Sequence, residues 1–295
     1  MTSTKRLNIL MADDGSQHAQ SAVELLLDLS LPPKSRVMVL RAFTPGQISG
    51  IPEFESSLEK TKHQFLNAGI TVGADLILGS PAEKIIETAA AKKSGLIVLG
   101  AKGLRATLGI LLGGVAQQVV EYAHCPVLIV RAPYQGLRRI LVVTDGSASS
   151  QYAVRYLSKF PLPRKVNVRV MHVLPPPLPP LTMEPYLGTW HTIYVPPPIQ
   201  DEIVIQKRQE RDGRALLKRT RDLLKRNGIS STPVLARGDA ATEIMEYVKS
   251  NEIDLIIAGS RGLSQFKGWW MGSVSRKLVH YSNCSVLIVK GPRKE

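Results

Sequence analysis

Short, nearly continuous runs of Val, Ile and Leu recur along this chain, separated by polar turns and by segments whose apolar residues return at helical spacing. In the first half the runs predict strands near 7–12, 35–42, 70–78, 95–100 and 126–131. Runs such as Leu141-Val-Val and Leu255-Ile-Ile suit strands buried on both faces of a parallel sheet. The spacing of apolar residues between the runs predicts a helix after each of the first four strands. One helix start is explicit: Ser80-Pro-Ala-Glu83 reads as a capping box with proline at the first helical position. Strand and helix in strict alternation predict a doubly wound α/β sandwich with right-handed crossovers.

The whole pattern occurs twice. Ile9-Leu-Met-Ala-Asp-Asp-Gly-Ser16 aligns with Ile140-Leu-Val-Val-Thr-Asp-Gly-Ser147 at an offset of 131, and Leu40-Arg-Ala-Phe43 with Met171-His-Val-Leu174 at the same offset. Beyond that point the offset is 159, as in Gly79-Ser-Pro-Ala-Glu-Lys-Ile85 against Gly238-Asp-Ala-Ala-Thr-Glu-Ile244, and Cys125-Pro-Val-Leu-Ile-Val130 against Cys284-Ser-Val-Leu-Ile-Val289. The second copy therefore carries a 28-residue insert after its second strand. The expected division is a domain over 1–133 and another over 137–295, joined by the short bridge 131–137 and packed as a pseudo-dimer, with a Pro-rich insert at about 174–200. The last strands, 126–131 and 285–290, are expected to satisfy each other's edges.

Ligands of doubly wound sheets sit at the carboxyl ends of the strands, beside the reversal of strand order. Three features of the second copy fall there. Asp145-Gly-Ser directly follows its first strand, where a carboxylate can accept from a ribose hydroxyl or an adenine amino group. Val173 ends the second strand and can offer its backbone to an adenine edge. The fourth strand leads into Gly259-x2-Gly262-x9-Gly272-Ser273. Glycines there let backbone approach phosphate oxygens, Ser273 adds a hydroxyl, the helix that follows supplies N–H groups, and Arg261 adds charge. Taken singly, each motif is equally well a loop-shaping turn.

On these residues the chain resembles the universal stress protein family in tandem form, over nearly all of both halves. The resemblance implies two tandem doubly wound, five-stranded parallel-sheet domains of Rossmann-like, adenine nucleotide alpha hydrolase-like fold. It implies a site for ATP or AMP, with Mg²⁺ accompanying ATP, in which Asp145 and Val173 hold ribose or adenine. Gly259, Gly262, Gly272 and Ser273, with Val274 and Ser275, would hold ribose and phosphates. The first copy keeps Asp14, Gly100, Lys102, Gly103 and Gly113, with Ala42 in the place of Val173, but has Gly114 where Ser273 stands. One lost hydroxyl to a charged phosphate is worth about 1.5–3 kcal/mol, roughly 10- to 150-fold in affinity. The expectation is a second half that binds nucleotide and a first half that binds weakly or not at all. Alternatively Gly114 lets phosphate closer to backbone and both sites fill.

Charge and composition change the picture little. Before position 137 there are 13 basic and 11 acidic residues, after 136 there are 25 and 13. Much of the excess runs from Lys207 to Arg226, interleaved with Leu216, Leu217, Leu223 and Leu224, which suits a solvated outer helix face. No aromatic residues interleave to stack bases, so nucleic acid is not the expected partner. Residues 174–198 hold nine prolines with Tyr186, Trp190, His191 and Tyr194 among them, an extended excursion that can act as a lid, a docking surface or an arm. Trp269 and Trp270, like Ile110 and Leu111 in the first copy, precede the third glycine and suggest contact between halves or chains.

The two cysteines read as small buried hydrophobes in a reducing cytosol. No run of 18 apolar residues is present, and no secretory signal is evident, so a cytoplasmic protein without membrane association is expected. There is no P-loop lysine motif and no ordered triad among the six histidines, so a binding protein rather than an enzyme is expected. The competing class is a non-nucleotide scaffold acting through protein contacts, and a further homodimer is left open.

Overall fold

The computed structural model describes residues 6–103, 112–177, 199–262 and 271–291. The aromatic residues of the Pro-rich insert, Trp269 with Trp270, and Ile110 with Leu111 lie outside these residues, so the expectations attached to them are not addressed by the fold.

The first repeat runs β1 (Asn8–Ala12), α1 (Gln17–Asp28), β2 (Arg36–Phe43), a 3₁₀ turn (Pro45–Gly50), α2 (Ile51–Asn67), β3 (Thr71–Leu78), α3 (Pro81–Ala91), β4 (Leu96–Gly100), α4 (Gly114–Tyr122) and β5 (Val127–Val130). The second runs β6 (Arg139–Val143), α5 (Ala148–Leu157), β7 (Asn167–Leu174), α6 (Ile199–Arg226), β8 (Ser231–Arg237), α7 (Ala240–Ser250), β9 (Leu255–Gly259), α8 (Ser273–Tyr281) and β10 (Ser285–Val289). The five apolar runs of the first half thus become strands at the expected places. Helix α3 begins at Pro81 after Ser80, but the Ser80 side chain makes no cap bond. Its carbonyl accepts from Lys84 N–H, and Pro81 needs no partner, so the start is set without the hydroxyl. In the second repeat Asp239 does cap α7 through Thr242 N–H.

All ten strands form one sheet, in the order β3-β2-β1-β4-β5-β10-β9-β6-β7-β8. Each repeat is parallel throughout, and its strand order reverses between β1 and β4, or between β6 and β9. The repeats join where β5 and β10 pair antiparallel, Leu128 opposite Leu287, so the two last-strand edges satisfy each other as expected. The fold is therefore a tandem, Rossmann-like α/β structure whose two sheets are continuous.

Alternation along the strands sends side chains to two cores. Ile9, Met11, Ile140 and Val142 join Leu26, Phe65, Val154 and Leu224 beneath α1, α2, α5 and α6. Leu10 and Leu141 join Ile85, Val120, Ile244 and Val279 beneath α3, α4, α7 and α8. A pair of cations fastens the join. Arg131, after β5, donates from Nη2 to Val279 O near the end of α8 at 2.8 Å. Lys290, its equivalent after β10, donates to Glu121 O and Ala123 O at the end of α4 at 2.8 and 2.6 Å. Each repeat thus caps the carbonyl end of the other's last helix, where a cation is favoured. Among the described residues no helix is long and apolar enough to cross a membrane.

Candidate functional site

The carboxyl ends of the strands at each reversal frame a cavity, one per repeat. In the second repeat a cavity of ≈ 290 Å³ is lined by Asp145 just after β6, by Val173 of β7, by Gly259 at the end of β9, and by Arg261, Gly262 and Gly272 beyond it. Ser273, Val274 and Ser275 close it from α8. The fold thus brings together all nine residues singled out in this half. In the first repeat a cavity of ≈ 490 Å³ gathers Asp14, Ala42, Gly100, Lys102, Gly103, Gly113 and Gly114. Its additional wall is made by Arg41, Thr44, Gln47 and Phe54.

The Asp-Gly-Ser turn builds its geometry locally. Gly15 and Gly146 take φ of +76° and +79°, a left-handed conformation that glycine adopts without strain. Ser16 and Ser147 cap α1 and α5 by accepting from Ala19 and Ser150 N–H. Their hydroxyls also donate to Lys102 O at 3.2 Å and Arg261 O at 3.4 Å, tying the helix start to the glycine loop. Asp145 accepts Ser147 N–H on Oδ1 at 2.9 Å, and its Oδ2 makes no hydrogen bond to another described residue.

The motif glycines answer to protein atoms before any ligand. A β-carbon at Gly100 would lie 2.7 Å from His18 Cβ and 2.9 Å from its carbonyl carbon; at Gly259 it would lie 2.7 Å from the Ser149 carbonyl carbon. These first glycines let α1 and α5 start hard against the strand ends. The second glycines make room for the aspartates, whose Oδ2 would be 2.6 Å from a β-carbon at Gly103 and 3.0 Å from one at Gly262. The third glycines donate back across the loop, Gly113 to Ala101 O and Gly272 to Ser260 O. The room that the first two glycines of each loop leave in the Cβ direction is thus taken by protein atoms. At Gly114 the reverse holds, since a β-carbon there would meet none of the described residues within 4 Å.

Helices α4 and α8 begin at these glycines without a side-chain cap. The first bonds in these helices are Gln117 N–H to Gly113 O and Arg276 N–H to Gly272 O. The N–H groups of 114–116 and 273–275 therefore have no carbonyl within the helix, and all six residues line the cavities. Three aligned donors at a helix start favour an anion. Ser273 adds a hydroxyl beside them. The Ser275 hydroxyl is already committed to Gly259 O at 2.7 Å, so that residue offers its backbone only.

Sequence reasoning passed over the charges of the first cavity. Asp13 and Arg41 are buried, 4% and 7% exposed. Asp13 accepts from Thr61 Oγ1 at 2.7 Å and Gly15 N–H at 2.8 Å. Arg41 Nη2 donates to Asp14 O at 2.8 Å, and its guanidinium lies 4.1 Å from the Phe54 ring centre. Burial pulls the Arg41 group below its ordinary value, while Asp13 and then Asp14 act in the opposite direction. The equivalents in the second repeat are Thr144, His172, Thr220 and Gly213. There His172 Nδ1 is 2.8 Å from Thr144 O, and Thr220 turns back to its own helix at Leu216 O. The signal was present in the alignment at offset 131, as the arginine among apolar residues in Leu40-Arg-Ala-Phe43.

Elsewhere the thiols stay protonated: burial pushes Cys125 up to about 11 and Cys284 up to about 12.

Comparison with known proteins follows the repeat. The model of the universal stress protein family matches residues 5–131 and again 136–290. A universal stress protein of Thermus aquaticus is 37% identical over 133 residues, 42% of this chain and 97% of that protein. One of Mycobacterium tuberculosis is 24% identical over 308 residues, covering 96% of both chains. The crystal structure of a universal stress protein from Archaeoglobus fulgidus shares the fold with a TM-score of 0.67 at 19% identity, over 98% of this chain and 97% of that one.

Proposed function

The chain belongs to the universal stress protein family, and from that premise we propose that it binds an adenine nucleotide, ATP or AMP, chiefly in the second-repeat cavity. The observation that carries this reading is one convergence. The Asp145 carboxylate, the three N–H groups at the start of α8 that have no carbonyl within the helix, and the Ser273 hydroxyl all line the same ≈ 290 Å³ space. The carboxylate would take a ribose hydroxyl or the base, and Val173 would flank the adenine. The N–H groups, Ser273 and Arg261 would take phosphate oxygens, with Mg²⁺ accompanying ATP on the phosphates. The first-repeat cavity has the same donors without the hydroxyl, and is read as the weaker site. In this reading the residues 1–133 and 137–295 act as two nucleotide-responsive units of a regulator. Nucleotide binding alters the partner-binding surface, and no catalytic step is assigned.

The test is stoichiometry. Released nucleotide is identified from the purified, denatured protein, and the stripped chain is then titrated with Mg-ATP. One site per chain, lost in Asp145→Ala with Ser273→Ala, is expected. Because the Cβ direction at Gly114 is open, Gly114→Ser should tighten the first site by roughly 10- to 150-fold and bring a second equivalent into view. Two sites in the unaltered chain would refute the asymmetry. No binding at millimolar ATP would leave the scaffold reading.

A further inference from the structure

On the opposite face of the second repeat, a groove of ≈ 540 Å³ opens between α6 and the edge strand β8. Arg214, Lys218 and Arg221 stand along α6 at i, i+4 and i+7, one stripe of the helix, and Arg237 faces them from β8. The floor is apolar, formed by Leu174, Leu217 and Leu235.

Two of the cations are held in place by the fold. Arg221 Nε donates to Ser231 O at 2.9 Å, and Arg237 Nη1 donates to Gln209 Oε1 at 2.8 Å and to Pro175 O at 3.1 Å. Among the described residues, Arg237 Nη2 is buried without a hydrogen-bond partner, 3.8 Å from Glu210, the one carboxylate among them that lines the groove. No carboxylate among the described residues lies within ion-pair distance of Arg214 or Lys218.

The first repeat is an internal control. Its residues at these four positions are Glu55, Glu59, Lys62 and Leu78, and Lys62 pairs with Glu59 at 2.9 Å. The corresponding helix and strand of the first repeat therefore pack together without a cluster of cations. A solvated face explains α2 but not the convergence of four cations around one concavity in its counterpart.

We propose that this groove is a second ligand site, specific for a small phosphorylated organic anion. Guanidinium groups match phosphate oxygens in paired fashion, and the leucine floor suits an apolar body beneath them. The volume falls in the range of about 300–1,000 Å³ usual for small-molecule sites. A concave groove of this size takes a compact ligand rather than a nucleic-acid duplex. The site is separate from the nucleotide cavity and does not depend on it.

The experiment titrates inorganic tripolyphosphate into the full chain by calorimetry at about 150 mM salt, where distant surface charges are screened. Three proteins are compared: unaltered, Arg214→Gln with Lys218→Gln, and Asp145→Ala with Ser273→Ala. Both groove residues are exposed, and circular dichroism checks the fold. Saturable binding that survives in the Asp145/Ser273 variant and weakens at least about 10-fold in the groove variant is the expected result. Binding lost with Asp145 and Ser273 but kept in the groove variant would overturn it. So would equal response to tripolyphosphate and polyglutamate, or capture of duplex DNA or anionic vesicles without saturable tripolyphosphate binding.

Discussion

At the two strand-order reversals of one sheet the same turn, the same glycine loop and the same uncapped helix start surround cavities whose remaining walls differ. The first is lined with the buried charges of Asp13 and of Arg41 over Phe54, and has Gly114 at the helix start. The second replaces these with Thr144, His172, Gly213 and Ser273. The substitutions go together. Phe54 supplies the ring that faces Arg41. At Gly213 a β-carbon would lie 3.0 Å from Leu174 and Leu235 and 3.1 Å from His172, so α6 sits close on β7 at the point where α2 carries the Phe54 ring. The contrast separates what the fold demands from what a ligand selects. Backbone-shaping residues are common to both repeats, while side chains that touch only the cavity or its wall have diverged.

The common part should be the more sensitive. Gly100→Val and Gly259→Val each place a β-carbon at 2.7 Å from atoms of the helix beginning at α1 or α5, and that helix is fixed by its own serine cap. Each is expected to cost about 3 kcal/mol or more, read as a fall in the urea midpoint. The two losses should be similar, because the role is the same. A variant that kept the unaltered midpoint would show that the helix withdraws freely, and would return those glycines to a ligand-only role.

That role was the part of the site least legible in the sequence. The strands were legible because runs such as Leu255-Ile-Ile have no other use, and the offsets of 131 and 159 fixed their equivalence. The residues around each cavity were legible because the glycine spacing and the aspartate occur twice at the right strand ends. Spacing does not say what fills the room a glycine leaves. At Gly103 and Gly262 that filler is an aspartate some 90 to 120 positions away in the chain, a contact only the crossover geometry creates. Arg41 and Phe54 were overlooked because neither belongs to a motif; their meaning lies in facing each other across β2 and α2. The α6–β8 groove joins Arg214 and Arg237 from separate elements, so the basic run alone looked like an ordinary solvated face.

The diverged part gives a smaller effect with an opposite signature, present in one repeat only. Arg41→Met removes a charge-assisted bond to Asp14 O and the contact with Phe54. The expected loss is about 2–3 kcal/mol, against about 1 kcal/mol for His172→Met, which gives up one bond to Thr144 O. A double-mutant cycle of Arg41→Met with Phe54→Leu should return a coupling of about 0.5–2 kcal/mol. Equal losses at Arg41 and His172, with no coupling to Phe54, would dissolve the contrast between the two walls.

The smallest effect is one of pH, and its contact at the bridge between the repeats comes from the first repeat alone. His18 begins α1 against Gly100, and its Nδ1 accepts Ala132 N–H at 2.9 Å from the bridge between repeats; its equivalent is Ser149, which does not titrate. Burial lowers the His18 pKa from 6.5, and the charges of Lys102 and Arg131 lower it further, against the backbone bond at Val130 and the charge of Asp14. The folded chain therefore binds fewer protons at this site than the unfolded chain. Its contribution to stability is complete above 6.5 and is lost as the pH falls from there through the lowered value. His280, lowered by burial and by Arg276 and Arg131, acts in the same direction. Carboxylates such as Asp239, held down by bonds from Thr242, lose their contribution only below 3.8, so the two windows do not overlap. The melting temperature of the unaltered chain should decline between about pH 6.5 and 5, and His18→Asn, which keeps an acceptor near Nδ1 but takes up no proton, should decline less. An identical decline in both would place the proton-sensitive contact elsewhere and leave the join between the repeats independent of His18.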